Sequence, residues 1–178
     1  MRFNIRGYEQ SYELTYINGV NFNGLERGVF NYSMLGGLND VTKVKDEFDG
    51  IQPNSYSFGS IGGSTNINTR PSALPTGSKV GMALSNRSYK YRVSFLHSTG
   101  MMNNGWAFAA SGVIRYAHEG INEGTFYNSG AYFLSAEKKF NEKHSISLAT
   151  FGAPTQRGQS SPATQETYYL ANSIYYNS

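Results

Sequence analysis

The sequence predicts a mainly β protein built in two parts, and three observations predict it. From about residue 79 onward, successive segments alternate apolar with small or polar residues at a period of two. The chain is rich in Gly (20) and Tyr (14), together with Ser, Thr and Asn, whereas charged residues make up only 15%; this composition favours strands and turns. The stretch FGSIGGSTNINTRPS, residues 58–72, also has strand periodicity, with Thr65, Ile67 and Thr69 on one side and Asn66, Asn68 and Arg70 on the other. It is polar on both faces, so it does not describe a strand in an ordinary apolar core.

The first part, residues 1–70, mixes short elements. Phe3 and Ile5 alternate with Arg2, Asn4 and Arg6, predicting a short strand. TYINGVNF predicts a second, with Asn18-Gly19 as a turn or bulge inside it. NYSMLGGL (31–38) predicts one or two helical turns capped by Asn31 or Ser33 and limited by Gly36-Gly37. DVTKVKDEF (40–48) predicts a strand through Val41 to Val44, with DEFDG (46–50) as a solvated turn. Residues 51–59 predict a loop or short helix. Pro71, Pro75 and Gly77 make 71–77 a linker to the second part, 78–178.

In the second part Val80, Met82 and Leu84 share a face opposite Gly81, Ala83 and Ser85. Tyr89, Tyr91, Val93 and Phe95 stand opposite Lys90, Arg92 and Ser94. Trp106, Phe108, Ala110, Ile114 and Tyr116 stand opposite Ala107, Ala109, Ser111 and Arg115. Strands over 131–140 and 144–151 follow the same rule, the first with Tyr132, Leu134 and Ala136 against Ser135 and Glu137. Tight turns at Asn86-Arg87-Ser88 and Asn141-Glu142-Lys143, and the dipeptide Asn104-Gly105, predict antiparallel hairpins. Residues 118–130 and 153–165 predict longer polar loops.

Strands of about ten residues are long enough to cross a bilayer at a tilt. Alternation alone does not say whether lipid or protein covers the apolar side. A soluble sheet carries Lys, Glu and Thr on its wet face; here the second face is Gly, Ala and Ser with a few charges, which suits a wall that is apolar outside and polar within. Tyr89, Trp106 and Tyr116 near strand ends suit interfacial aromatic girdles. The alternative is a soluble β-sandwich that binds carbohydrate or mediates adhesion. A small closed porin-like barrel fits less well, given the polar first 70 residues.

Other chemistry finds little support. There is no cysteine, and the net charge of +3 comes from scattered Lys and Arg, arguing against a nucleic-acid footprint. No apolar run approaches the roughly 18 residues of a membrane helix, and MRFNIRGYEQ does not read as a signal peptide. His97, His118 and His144 have no metal-ligand spacing, and every Asp falls between residues 40 and 49, far from a Ser-His-Asp arrangement. GSIGGS lacks the Gly-Lys-Ser/Thr of a P-loop. The tail TYYLANSIYYNS suits a girdle or loop cluster more than a sugar-stacking platform. No catalytic residue, metal or cofactor is expected.

The order of these pieces resembles a TonB-dependent outer-membrane receptor of the kind abundant in Bacteroidetes. Ile5-Arg6-Gly7 resembles the family's I-R-G segment, Ile17-Asn18-Gly19-Val20 its "IDGV", and Leu38 to Val44 its "IERIEV". The run from Phe58 to Arg70, including Gly59, Gly62, Gly63, Asn66, Ile67 and Thr69, resembles the plug-closing "YGS-A-GGVINI-TK". Phe58, Ser64 and Asn18 depart from the usual Tyr, Val and Asp, and the usual V-x-x-G-P is replaced by KDEFDG. The resemblance implies a partial plug domain (α+β) over 1–70, a linker over 71–77, and the first antiparallel strands of a transmembrane β-barrel over 78–178. Barrels of this class have about 22 strands, so it also implies a fragment, with the TonB-binding segment upstream. Expected partners are TonB for the full-length protein, outer-membrane lipid of a Gram-negative bacterium, and a bulky nutrient. The motif residues Arg6, Gly7, Asn18, Gly19, Gly59, Gly62, Gly63, Asn66, Ile67 and Thr69 are expected to be structural. Arg92, Arg115 and Glu137 are expected to face the lumen, and the 118–130 and 153–165 loops to be extracellular.

Overall fold

A computed structural model of the chain describes residues 7–86, 88–122, 124–161 and 163–177. Arg6, the predicted strand through Phe3 and Ile5, and Arg87 of the first predicted tight turn lie outside the described residues. The protein is mainly β and contains two sheets.

The smaller sheet belongs to the first part. Strands β1 (Leu14–Ile17), β2 (Val20–Asn21), β3 (Lys45–Phe48) and β4 (Ser64–Ile67) are ordered β2-β1-β4-β3. Asn18 and Gly19 both have positive φ, 49° and 84°, and Ile17 pairs with Val20 across them. Asn-Gly is the dipeptide that a two-residue hairpin of this hand favours, because both central residues must enter the left-handed region. β1 then runs parallel to β4, which joins segments about 50 residues apart. Of the one or two helical turns expected within 31–38, one is present, a 3-10 turn (Tyr32–Leu35) capped by Asn31, whose side chain accepts from the Ser33 amide, and closed by left-handed Gly36.

Two expectations for this part are corrected. The strand begins at Lys45, not Val41. Leu38 and Val41, 2% and 1% exposed, both enter the core. Residues three apart reach the same side in a turn but opposite sides in a strand, so burial of both selects the turn. DEFDG is likewise not all turn. Asp46, Glu47 and Phe48 belong to β3, an edge strand whose charged side chains are exposed.

The larger sheet is an antiparallel meander of β5 (Gly77–Leu84), β6 (Tyr91–Ser98), β7 (Trp106–Ala117) and β8 (Tyr127–Lys139). Along the far side of β8 lie β9 (Ser145–Gly152) and β10 (Thr155–Arg157). Tyr132 faces Gly152 and Ser129 faces Thr155, so β9 and β10 keep one register and form a single strand interrupted at Ala153-Pro154. Pro154 has no N–H to donate, but its carbonyl still accepts from the Gly130 amide at 3.1 Å. The loop expected over 153–165 is therefore strand at its start and helix at its end, α1 (Gln165–Ala171) being capped by Thr164. The loop expected over 118–130 gives way to β8 at Tyr127. The tyrosine-rich tail is partly helical, since α1 takes in Tyr168 and Tyr169.

The two faces of the larger sheet invert the usual arrangement. Val80, Met82 and Leu84 of β5 are 72%, 81% and 80% exposed. Tyr91, Val93, Phe95, Trp106, Phe108, Ile114, Tyr116, Tyr132, Leu134, Ile146 and Leu148 share that uncovered face. The covered face consists of Ser94, Leu96, Ser98, Ala107, Ala109, Ser111, Val113, Ala131, Phe133, Ser135 and Glu137, all buried. The first part of the chain packs on this side. Leu38, Val41 and Leu74 join Leu96, Ala109, Val113, Ala131 and Phe133 in one apolar cluster. Small residues on the wall let the Gly36-Gly37 turn come close: a Cβ on Gly36 would lie 2.6 Å from the Ala153 Cβ and 2.7 Å from the Ala131 Cβ.

Candidate functional site: the covered face of the larger sheet

Three kinds of contact fasten the first part to this face. The 71–77 segment is one of them. Pro71 and Leu74 are buried, Ser98 Oγ donates to the Pro71 carbonyl at 3.3 Å, and the Ser72 hydroxyl donates to Glu137 at 2.6 Å. The Ser72 amide reaches the same carboxylate at 3.3 Å. Glu137 is only 5% exposed, and these donors replace the water its charge would lose on burial.

The second contact is the Gly36-Gly37 turn. Arg92 donates to the Gly37 carbonyl at 3.1 Å, and the Arg115 guanidinium also lies against Gly37. Arg92 and Arg115 are directly opposed across β6 and β7, and Arg115 donates to Ser129 Oγ at 3.2 Å. The third contact is ionic. Lys79 of β5 donates to Asp40 at 2.6 Å, and Lys43 lies 2.9 Å from the same oxygen. The Lys79 hydrogen bond, with Lys43 beside it, holds the Asp40 carboxyl below the usual carboxylate range against the opposing effect of burial.

The polar strand β4 sits behind these contacts. Ser64, Thr65, Asn66 and Ile67 are all buried, and the Ser64 and Asn66 side chains find partners elsewhere in the chain. Asn18 Nδ2 donates to Thr69 Oγ1 at 2.8 Å, while Asn18 Oδ1 accepts from the Thr69 amide at 2.8 Å. Asn66 Oδ1 accepts from the Gly19 amide at 3.0 Å, and Asn54 Nδ2 donates to Ser64 Oγ at 2.8 Å. Asn18, Gly19, Asn66 and Thr69 thus form one clasp between the hairpin turn and the end of β4. Replacing Asn18 with glycine keeps access to the left-handed region but removes both bonds to Thr69. We expect this variant to lose about 1–3 kcal/mol in a urea unfolding titration, the range for stranding buried partners; a change near zero would mean the clasp is not maintained in solution.

Of the other motif residues, Ile67 is fully buried. Gly59, Gly62 and Gly63 lie where a side chain has no room: a Cβ on Gly62 would be 2.7 Å from the Tyr12 carbonyl carbon, and one on Gly63 would be 2.8 Å from the Phe48 carbonyl oxygen. Gly7, by contrast, is exposed with positive φ and open space beside it. Burial pushes the Glu13 carboxyl up from its ordinary value, with the Glu47 charge adding to the effect.

Some participants have no signal in the sequence pattern. Ser72 falls in a segment that reads as linker, and Arg157 in one that reads as loop. Arg157 faces Tyr127 across β10 and β8, and Tyr127 is buried on the covered face. An open cleft of about 490 Å³ lies there, lined by Ser88, Asn122, Phe126, Tyr127 and Arg157 among others. His97 sits on the opposite, uncovered face, its Nδ1 2.8 Å from Ser78 Oγ. A scan against protein-family models finds no match for the chain, and a search of curated proteins finds none either.

Proposed function

We propose that the chain is the plug-and-first-strands portion of a TonB-dependent outer-membrane receptor, serving energy-coupled uptake of a bulky nutrient in a Gram-negative bacterium rather than catalysis. In this reading residues 1–70 are the later part of the plug, 71–77 joins it to the wall, and 78–178 begins the barrel. The observation that carries it is the inverted sheet, with large apolar side chains on the uncovered face and small or polar ones against the first part. An uncovered face of this kind is costly in water and favourable against hydrocarbon. Trp106 stacked with Phe108, 5.5 Å between ring centroids, lies at one end of β7 and Tyr116 near the other. That spacing suits the two interfaces of a membrane.

The order of motifs from Gly7 to Thr69 supports the plug assignment, and the contacts of Arg92, Arg115 and Glu137 with residues 37 and 72 support a wall closed around it. The sheet leaves β5 and the β9/β10 line as free edges, where further strands of a wall would pair. TonB, membrane lipid and the solute are the partners this reading requires.

Trp106 is the only tryptophan, so its fluorescence reports on the uncovered face alone. We expect the chain to need detergent or lipid to stay dispersed, and brominated phospholipid to quench Trp106. A monomer in plain buffer with a cooperative thermal transition, and no quenching by brominated lipid, would instead identify a soluble β module.

A further inference from the structure

We propose that the loop end of the covered face binds a solute carrying carboxylate or phosphate groups. The proposal rests on the receptor reading above and names the chemistry of its solute. Register places the charges. Arg92, Arg115, Ser129 and Thr155 form one row across β6, β7, β8 and β10. One inward-facing step nearer the loops, Ala117, Tyr127 and Arg157 form the next. Three guanidiniums therefore stand within two adjacent rows, faced by hydroxyls and rings.

Their own contacts leave them under-compensated. Among the described residues, the ion pairs are Lys43–Asp40 and Lys79–Asp40, and no carboxylate pairs with any of the three arginines. Arg92 and Arg115 are opposed like charges, an arrangement that weakens a sheet. The Nε donors of both are buried without an acceptor. Leaving such donors unmet costs stability, and local costs of this kind concentrate at functional positions. Arg115 is held in place by Ser129 and by two rings, its guanidinium carbon 5.3 Å from the Tyr127 centroid and 5.8 Å from that of Tyr89.

The cleft of about 490 Å³ lies beside these groups: Arg157 lines it, as does Tyr127, whose ring separates it from Arg115. That volume is of the size that holds a small organic ligand. Arg157 is exposed and presents a planar fork suited to two parallel bonds to a carboxylate or phosphate. Arg115 acts from behind Tyr127 as a positioning residue, adding positive potential to the Arg157 side of the cleft, while the Glu119 carboxylate of the neighbouring loop accepts from the Gly124 amide at 3.1 Å. Asn122 and Thr125, on the same rim, supply neutral polar groups for the rest of the solute.

The test is calorimetric titration of the full chain in detergent micelles at low salt with citrate, with pyrophosphate and with uncharged maltotriose. We expect an anion to bind and maltotriose not to bind; citrate alone would assign carboxylate, pyrophosphate alone phosphate, and competition between them one site for both. Arg157→Gln should weaken binding by about 10-fold or more, the value of a charged hydrogen bond. Lys143→Gln, in the turn at the other end of the sheet, should leave it unchanged. Equal weakening by the two variants would reduce the effect to net charge and overturn the site. Lack of anion binding by a chain whose Trp106 is quenched by brominated lipid would overturn the site and leave the receptor reading standing. Unquenched Trp106 with Arg157-dependent citrate binding would do the reverse.

Discussion

Gly36→Ala is expected to destabilise the protein by about 2–4 kcal/mol, chiefly by lifting the first part of the chain off the larger sheet. Two costs combine. Gly36 has φ of 60°, and an L-residue in that region costs roughly 1–2 kcal/mol. The new methyl would also stand 2.6 Å from the Ala153 Cβ and 2.7 Å from the Ala131 Cβ, and overpacking of this kind costs about 1–3 kcal/mol. The lower entropy of the unfolded alanine chain offsets a small part, about 0.4–1 kcal/mol. Gly7→Ala is the control, because Gly7 has φ of 81° and a methyl there would meet nothing within 4 Å; it carries the backbone cost alone. Urea unfolding of both variants separates the terms. Equal losses would mean that the Gly36 turn does not rest on Ala131 and Ala153 in solution.

Phe95→Lys is expected to cost about 2–4 kcal/mol when the chain is folded in lipid vesicles, the penalty for a lysine near the bilayer midplane of a β-barrel. Phe95 lies on the uncovered face in the middle strands, opposite Gly112, and is 45% exposed. Its ring packs over that glycine, within 3.3 Å of where a Cβ would stand. Phe95→Gln removes the ring without adding charge, so the difference between the two variants isolates the charge. On a water-facing sheet the same difference would stay within about 0.5 kcal/mol, as for ordinary surface substitutions. A small Lys–Gln difference in vesicles would therefore place this face in water and remove the main support for the membrane reading.

Much of the local structure was legible in the residues. Period-two alternation marked the meander and sorted the side chains within its strands between two faces, because neighbouring side chains in a strand must point opposite ways; Tyr89, expected on the outer face, lies before β6 and its ring meets Tyr127 and Arg115 on the covered side instead. Asn18-Gly19 marked a turn or bulge, and Asn31 was one of two residues marked as a cap, because each provides a backbone conformation or hydrogen bond that few other residues provide. Errors arose where a local signal met a tertiary demand. Val41 to Val44 had strand propensity, but burial of Leu38 and Val41 together required a turn. Residues 153–165 read as a polar loop, yet the Pro154 carbonyl alone sufficed to continue pairing into β10.

The sequence by itself determined that this chain forms strands with one large apolar face and one small polar face, since side-chain alternation follows directly from strand geometry. Only the tertiary structure decided that the small polar face is the covered one, and that Arg92, Arg115 and Arg157 gather at one end of it. Those facts depend on which strand lies beside which and in what register, and register is a relation between distant segments that no single stretch of residues contains.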